Sequence, residues 1–307
     1  MRMGAERLRP EWSALPEGLR ARILAALGGA YVSDAPAHGG FSATYAGVVR
    51  TTGGVGFVKA TGHGGHADSR DFLRQEIAVL TRTEVSTAPG LRAGIDDDVG
   101  IALVTEATDG VHPGSPWTPA QLHAVAEALR TVAESPAPAG LPEAAASMAP
   151  RFLRWDRISA DAEVRQGLPD AVRRRLPDLV RMEQRFPEAV TGTRLVHGDP
   201  RADNILLQGT RARLLDWPHA LAGAPWLDLP LLLPSVEAGG GPRCEEAWEI
   251  FRQHGAPAPS ELLPMISAFA SFLWFEQAQA EIPDLPGLRA FQRAQAVPAL
   301  RWIGDLL

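Results

Sequence analysis

Polar side chains crowd between two apolar runs in the second half of the sequence. One loop carries five of them within eight residues: His197, Asp199, Arg201, Asp203 and Asn204. Asp216, twelve residues beyond Asn204, ends a second apolar run. Amide and carboxylate oxygens are ligands that Mg²⁺ takes when substrate phosphates also hold it, so Asn204 and Asp216 are candidate metal ligands. Asp199 is a further carboxylate, which could accept a proton from an attacking hydroxyl.

Lysine occurs once in this sequence, at Lys59, whereas arginine occurs 29 times. Arginine does not replace lysine where a compact ammonium must fit a tight site. Lys59 is therefore a candidate for such a site, and the alternative is a lysine that survived by chance on a solvated face. It ends a short apolar run over residues 56–59 that predicts a β-strand.

A helix is predicted over residues 69–83, with Ser69 as its N-cap. At 100° per residue, Glu76 falls on the apolar side of this helix. A carboxylate on a buried side needs a partner, and Lys59 is the natural one. Glu84 is a weaker alternative because it lies beyond the predicted end of the helix.

The loop around Asp199 reads His-Gly-Asp, four residues, Asn, and Asp216 is followed by Trp217. In both features the sequence resembles the aminoglycoside phosphotransferase family, within the protein-kinase-like superfamily. The resemblance implies that Asp199 is the catalytic base and that Asn204 and Asp216 hold Mg²⁺. It also implies that Arg201 stabilises charge on the phosphoryl group during transfer.

The same resemblance implies a nucleotide site in the N-terminal part of the chain. Lys59 would order the α- and β-phosphates of ATP or GTP, and Glu76 would order Lys59. The other implied nucleotide-binding positions are Gly40 and Ser42 in a loop over the phosphates, and Glu106 and Ala107 at an interlobe hinge. The hinge positions follow from order along the chain, and the glycine loop is explained about as well by a plain hairpin turn.

Two further residues are expected to support the loop around Asp199 without reacting. We expect His197 to hold the loop through hydrogen bonds. The resemblance implies that Asp228 braces the loop from below, as a buried carboxylate that accepts backbone N–H donors. Loss of Asp228 would then misplace Asp199.

The elements that must position these residues divide the chain into two parts. The fold class that we predict is α+β, a protein-kinase-like fold with two lobes. Residues 1–107 form a small N-terminal lobe, an antiparallel sheet with one main helix, preceded by an N-terminal helix. Residues 108–307 form a larger, mainly helical C-terminal lobe. Hydrophobic periodicity and glycine turns predict helices over 10–27, 118–132, 151–184 and 245–307, and strands over 44–49, 101–105, 195–196 and 213–215.

Composition excludes several classes of function. The chain has 307 residues and a net charge of -6, which argues against a nucleic-acid binder. It has no apolar run of the ~20 residues that a membrane span needs, and its first ten residues do not resemble a signal peptide. A single cysteine suits a reducing cytoplasm. Nothing indicates an obligatory protein partner.

The expected reaction is transfer of the γ-phosphoryl group of ATP or GTP to a hydroxyl of a small molecule. Acidic residues of the C-terminal lobe suit a polycationic aminoglycoside antibiotic, as in antibiotic resistance, and equally an ordinary solvated helix face. These residues are Glu237, Glu245, Glu246, Glu249, Glu276, Glu281 and Asp284. The alternatives are a kinase of choline, homoserine, a sugar or a macrolide, and a non-catalytic nucleotide-binding pseudokinase.

Overall fold

A five-stranded antiparallel sheet forms the core of the N-terminal lobe. The computed structural model describes residues 9–37, 44–282, 285 and 287–307. The strands follow the spatial order β1-β2-β3-β5-β4. Their bounds are β1 (Tyr31–Pro36), β2 (Tyr45–Thr51), β3 (Val55–Gly62), β4 (Leu91–Asp96) and β5 (Gly100–Glu106). The three inner strands were expected from the sequence, and the two outer strands, β1 and β4, were not.

Helices cover both faces of this sheet. On one face α1 (Glu17–Leu27) packs through Ile23 into the same buried cluster as Val58 of β3. On the other face lies α2 (Ala67–Arg82). Successive side chains of a strand point to opposite faces, so Lys59, next to Val58, lies on the α2 side. The sheet thus presents the only ammonium side chain of the sequence to the main helix of the lobe.

The start of α2 differs from the prediction. The helix begins at Ala67 with His66 as its N-cap, and Ser69 lies inside the first turn. Asp68 also lies in this turn, where a carboxylate interacts favourably with the helix dipole. Ser69 therefore does not cap the helix, although the helix itself and its end at Arg82 agree with the prediction within two residues.

The C-terminal lobe is built from eleven described helices and two short strand pairs. Its helices are α3 (Pro119–Glu134), α4 (Ala144–Phe152), α5 (Trp155–Ala160), α6 (Ala162–Gln166), α7 (Asp170–Arg174), α8 (Leu176–Glu183), α9 (Phe186–Val190), α10 (Asp228–Ala238), α11 (Cys244–Arg252), α12 (Pro259–Gln277) and α13 (Leu288–Leu306). The strand pairs are β6 (Arg194–Val196) with β9 (Leu221–Gly223), and β7 (Ile205–Gln208) with β8 (Arg211–Leu214).

The charged segment over residues 151–184 is a series of short helices, not one long helix. Gly167 ends α6, Pro169 precedes α7, and Pro177 occupies the first turn of α8. Proline removes a backbone donor and fits best in the first turn of a helix or outside it. These residues therefore interrupt the helical pattern that the periodicity predicts.

Four tryptophans, fully buried, anchor the core of the C-terminal lobe: Trp155, Trp217, Trp248 and Trp302. The same buried cluster extends to Leu73 and Leu80 of α2. No described helix is both long enough and apolar enough to cross a bilayer. β5 ends one residue before the division expected after residue 107, and that division into two domains stays a prediction.

Candidate active site

Lys59 joins the two lobes through its ammonium group. Its Nζ lies 3.0 and 2.7 Å from Oε1 and Oε2 of Glu76, and 2.6 Å from Oδ1 of Asp216. Glu76 is 3% exposed and also accepts the backbone N–H of Trp217 at 3.3 Å. Burial acts to lower the pKa of Lys59, but Asp216 and Glu76 outweigh it and the pKa is raised. The structure thus brings together the lysine and the glutamate that the sequence pairs, whereas Glu84 is exposed.

Asp216 occupies a strained turn directly after β8. Its φ of 67° is the only positive value at a non-glycine position among the described residues. The next residue, Trp217, is buried, and its Nε1 donates to the carbonyl of Leu214 at 2.8 Å, which fixes the turn. Burial opposes ionisation of Asp216, but Lys59 holds its pKa well below the usual range. Asp216 is therefore a charged carboxylate where the C-terminal lobe contacts Lys59 of the N-terminal lobe.

Asp199 and Asn204 contact each other in the loop between β6 and β7. The amide Nδ2 of Asn204 donates to the carbonyl of Asp199 at 2.9 Å and to its Oδ2 at 3.2 Å. Nε of Arg201 lies 3.6 Å from Oδ2 of Asp199 and 3.2 Å from Oδ1 of Asp203. Burial raises the pKa of Asp199 to about 7, against the lowering effect of Arg201. A carboxylate that titrates near neutral pH is suited to general-base chemistry.

A network of hydrogen bonds ties this loop to the Asp216 turn. Asp228 accepts the backbone N–H groups of His197 and Gly198, each at 2.8 Å. Nε2 of His197 donates to the carbonyl of Leu215 at 2.9 Å, and its Nδ1 accepts the backbone N–H of Asp199 at 3.3 Å. Burial lowers the pKa of His197 to about 4, so the ring is neutral and has one donor and one acceptor. The hydrogen bonds expected of Asp228 and His197 are therefore present, and their supporting roles stay predictions.

The loop also needs glycine at one position. Gly198 has a φ of 82°, and a Cβ there would lie 2.2 Å from the carbonyl oxygen of His219. A side chain would therefore collide with backbone. The loop and the turn also meet directly, because the N–H of Leu215 donates to the carbonyl of Asn204 at 2.8 Å. Asp199, Asn204 and Asp216 are thus held in two segments that contact each other.

Asn204 and Asp216 fit the requirements of a magnesium site. The hydrogen bonds above use Nδ2 of Asn204 and Oδ1 of Asp216, and they leave Oδ1 of Asn204 and Oδ2 of Asp216 unused. Two oxygen ligands completed by phosphates and water are a usual arrangement for Mg²⁺. In the part of the chain that the structure describes, no group of three or more His, Cys, Asp and Glu side chains could hold a metal.

The remaining predicted site residues lie in two segments. The backbone N–H of Glu106 donates to the carbonyl of Gly90 at 2.9 Å, and its side chain pairs with Arg213. Its N–H is therefore already engaged within the protein, and a nucleotide contact of Glu106 and Ala107 stays a prediction. Gly40 and Ser42 lie outside the described residues.

A cleft of about 670 Å³ opens beside Asp199 and Arg201. Its other walls come from α2, α4, α12 and α13. Phenylalanine side chains form much of the lining: Phe72, Phe152, Phe269, Phe272 and Phe291. The sequence pattern assigns residues 269–275 to the core, and Phe269 is indeed buried, but it also lines this cleft. Arg151 lines it too, and nothing in the sequence singled out that arginine.

Comparison with solved structures supports the same architecture. Choline kinase LicA from Streptococcus pneumoniae aligns with a TM-score of 0.58 and 16% identity over 93% of this chain and 98% of that one. Spectinomycin phosphotransferase, solved with ADP and spectinomycin, aligns with a TM-score of 0.58 and 13% identity over 96% of this chain and 100% of that one. An aminoglycoside-3'-phosphotransferase of type VIII aligns with a TM-score of 0.53 and 23% identity over 83% of this chain and 96% of that one. These likenesses confirm the two-lobe α+β fold of the protein-kinase-like type.

A family model provides the assignment that these distant structures do not. No curated protein sequence matches the chain. The model of the phosphotransferase enzyme family, APH, matches residues 35–264. This range includes Lys59, Glu76 and both loops of the site. The expected family is therefore confirmed: the chain belongs to the phosphotransferase enzyme family and is a small-molecule phosphotransferase.

Proposed function

We propose that this protein transfers the γ-phosphoryl group of ATP or GTP to a hydroxyl group of a small molecule, with Asp199 as the base. The observation that carries the proposal is the meeting of Lys59, Glu76 and Asp216 in one ion-paired group. That group is tied by hydrogen bonds to the loop that carries Asp199 and Asn204. A structural salt bridge alone would not need the adjacent carboxylate and amide.

The proposed nucleotide contacts are those that the family resemblance implies, and the charges of the site support them. Lys59 would hold the α- and β-phosphates, and Glu76 would fix the direction of its ammonium. Arg201 lies beside Asp199, where a guanidinium can stabilise charge on the phosphoryl oxygens. The structure of spectinomycin phosphotransferase contains ADP, which supports a nucleotide at the equivalent position here. Gly40, Ser42, Glu106 and Ala107 complete the proposed nucleotide site.

Mg²⁺ is the metal that this donor set suits, and Asn204 and Asp216 would hold it. When bound, the ion neutralises part of the phosphate charge and so favours transfer. Lys59 then has two partners in turn, because the phosphates compete with Asp216 for its ammonium. Glu76 keeps the ammonium in place during that exchange, since it contacts Nζ through both of its oxygens.

The chemical step needs little from the protein beyond position and a proton acceptor. The acceptor hydroxyl would donate its proton to Asp199 while its oxygen forms a bond to the γ-phosphorus. The bond from that phosphorus to the bridging oxygen of the nucleotide diphosphate breaks, and the diphosphate leaves. Asn204 holds the Asp199 carboxylate through Oδ2, and Asp228 holds the backbone of the loop.

Several classes of compound are candidates for the phosphoryl acceptor. The structural relatives are a choline kinase and two antibiotic phosphotransferases, so amino alcohols and aminoglycosides are both represented, and homoserine, sugars and macrolides remain further alternatives. A non-catalytic pseudokinase is the competing class. It has weak support, because every residue that the family pattern requires in the two loops is present.

The proposal is tested with Asp199→Asn, which keeps the size of the side chain and its ability to accept from Asn204. We expect transfer of labelled γ-phosphate to a panel of hydroxyl compounds to fall by roughly 10²–10⁴, while nucleotide binding persists. Asp170→Asn is the control, since Asp170 is an exposed residue of α7 far along the chain. Nucleotide binding by the wild type with no transfer to any acceptor would favour the pseudokinase.

A further inference from the structure

The floor of the cleft beside Asp199 is a stack of aromatic rings. The ring of Phe152 lies 4.9 Å from Phe272 and 5.5 Å from Phe269, with interplanar angles of 16° and 26°. Phe72 of α2, which also lines the cleft, is 45% exposed, and its ring contacts His219 edge-on at 5.2 Å. A contiguous group of apolar side chains in a cleft is typical of a ligand-binding surface. The lining of the cleft therefore offers aromatic surface to an apolar ligand.

The charge of the cleft is positive apart from the catalytic carboxylate. Its lining has three guanidinium groups, of Arg82, Arg151 and Arg201, and one carboxylate, Asp199. Arg201 is paired with Asp199 and Asp203. Among the described residues, neither Arg82 nor Arg151 forms an ion pair with a carboxylate. Burial lowers the pKa of His219, so this histidine adds no negative or positive charge near neutral pH.

Arginine already covers one face of two of the rings that line the cleft, Phe272 and Phe291. The guanidinium carbon of Arg151 lies 5.8 Å from the ring centre of Phe272, and that of Arg201 lies 5.4 Å from the ring centre of Phe291. Cations bind aromatic rings over the face. An amine ligand would therefore meet a guanidinium at both positions and be repelled by it.

The acidic residues that suit a polycation lie elsewhere. Glu237 and Glu245 pair with Arg301, and Glu276 pairs with Arg289 at 3.0 Å. Of the seven acidic residues that the sequence offered, the six that the structure describes do not line the cleft: Glu237, Glu245, Glu246, Glu249, Glu276 and Glu281. Asp284 lies outside the described residues. The acidity of this lobe is therefore no argument for a polyamine acceptor.

Resting on the proposed function, we propose that the acceptor is a hydroxyl compound with an apolar ring body and an acidic group, not a polyamine. The rings of Phe152, Phe269 and Phe272 contact its body. Arg151 is exposed and lines the cleft, and it pairs with the acidic group, since no described carboxylate forms an ion pair with it. The hydroxyl reaches Asp199 at the inner end.

The test uses three alcohols that share one body: 6-(hydroxymethyl)-2-naphthoate, 2-naphthalenemethanol and 6-(aminomethyl)-2-naphthalenemethanol. Binding to the wild-type protein is measured by titration calorimetry, and transfer from ATP by mass gain. We expect the naphthoate to bind about tenfold more tightly than the amine, with the neutral alcohol between them. Kanamycin A, a polyamine, serves as a fourth ligand and should bind more weakly than all three.

Two matched pairs of variants locate the effect. Arg151→Gln should weaken naphthoate binding by roughly fivefold, as expected for a solvent-accessible ion pair, and leave the neutral alcohol unchanged. Arg157→Gln is its control, because Arg157 lies 5.9 Å from the ring centre of Phe275 in the same kind of contact but outside the cleft. Phe272→Ala should weaken all three naphthalenes at least tenfold, and Phe275→Ala should not.

Stronger binding of the amine or of kanamycin A would overturn this assignment, and so would equal effects of Arg151→Gln and Arg157→Gln. Absence of binding by every naphthalene would also overturn it. The proposed function fails in a different way. Naphthoate binding that depends on Arg151, without any phosphoryl transfer, would refute the proposed phosphotransferase function and support the proposed ligand of the cleft. Phosphoryl transfer to kanamycin A would support the function and refute the ligand.

Discussion

Removal of the single lysine gives a sharp measure of how the site is held together. Lys59→Met leaves Glu76, which is 3% exposed, with the backbone N–H of Trp217 as its remaining donor among the contacts described. In that surrounding the protonated form of the Glu76 carboxyl has the lower free energy. With an ordinary pKa of 4.5, protonation at pH 7 costs about 3.4 kcal/mol, at about 1.36 kcal/mol per pH unit. The buried Glu76 of the variant can therefore lower the free energy of unfolding at pH 7 by at most this amount.

The same reasoning fixes the pH dependence. In Lys59→Met the pKa of Glu76 in the folded state lies above its unfolded value, so the folded protein takes up a proton. Stability is then higher at low pH and falls as pH rises above 4.5 towards the raised pKa. At pH 5 the protonation cost is only about 0.7 kcal/mol. Urea denaturation at pH 5 and pH 7 should show a variant that is destabilised mainly at pH 7.

A second substitution separates stability from activity. Glu76→Gln in the Lys59→Met background removes the buried charge and keeps the size of the side chain, so we expect most of the lost stability at pH 7 to return. Phosphoryl transfer should stay absent, because no ammonium reaches the phosphates. Arg74→Met is the control: it breaks exposed ion pairs with Asp71 and Asp96 and should change stability little. A double variant no more stable than Lys59→Met would refute the reasoning.

Two further predictions concern the loop around Asp199. Arg201→Met removes the largest influence that lowers the pKa of Asp199. The acidic limb of the pH profile of kcat/KM, near pH 7 in the wild type, should therefore move to higher pH. A pH–rate profile with an unmoved limb would contradict this. Asp228→Asn leaves one oxygen for the N–H groups of His197 and Gly198, which should cost about 1–3 kcal/mol and slow transfer. Burial raises the pKa of Asp228 from 3.8 to about 6, so its contribution to stability falls as pH rises from 3.8 to about 6. Denaturation across that range should show this fall only in the wild type.

The inner part of the small lobe could be predicted from the sequence because its elements have clear patterns. β2 and β5 are mostly buried, half of β3 is buried, and Gly53 and Gly54 separate β2 from β3. The outer strands β1 and β4 escaped prediction for a physical reason: β1 is almost wholly exposed and β4 alternates between intermediate and exposed positions. An edge strand that buries little carries no apolar run, and its pairing depends on backbone groups that the sequence does not show.

The ion pair of Lys59 and Glu76 could be predicted because both clues are local, a unique residue type and a helical angle. The contact between Lys59 and Asp216 spans 157 positions and needed the resemblance to a known family before it could be expected. Nothing in the sequence indicated that the backbone N–H of Glu106 is already hydrogen-bonded within the protein. It is set by the pairing of β5 with the segment before β4, which contains Gly90.

The acceptor cleft marks the limit of prediction from composition. Seven acidic residues suggest an electronegative lobe, yet the charge of a surface depends on which partners the fold supplies. Arginine supplies them here: Arg301 and Arg289 neutralise Glu237, Glu245 and Glu276. The chain has almost no lysine, so arginine serves as structural partner, as cover of aromatic faces and as lining of the cleft. The role of each arginine follows only from where helices α4, α12 and α13 meet. There Arg151 lies over the ring of Phe272, and no carboxylate of the described residues forms an ion pair with it.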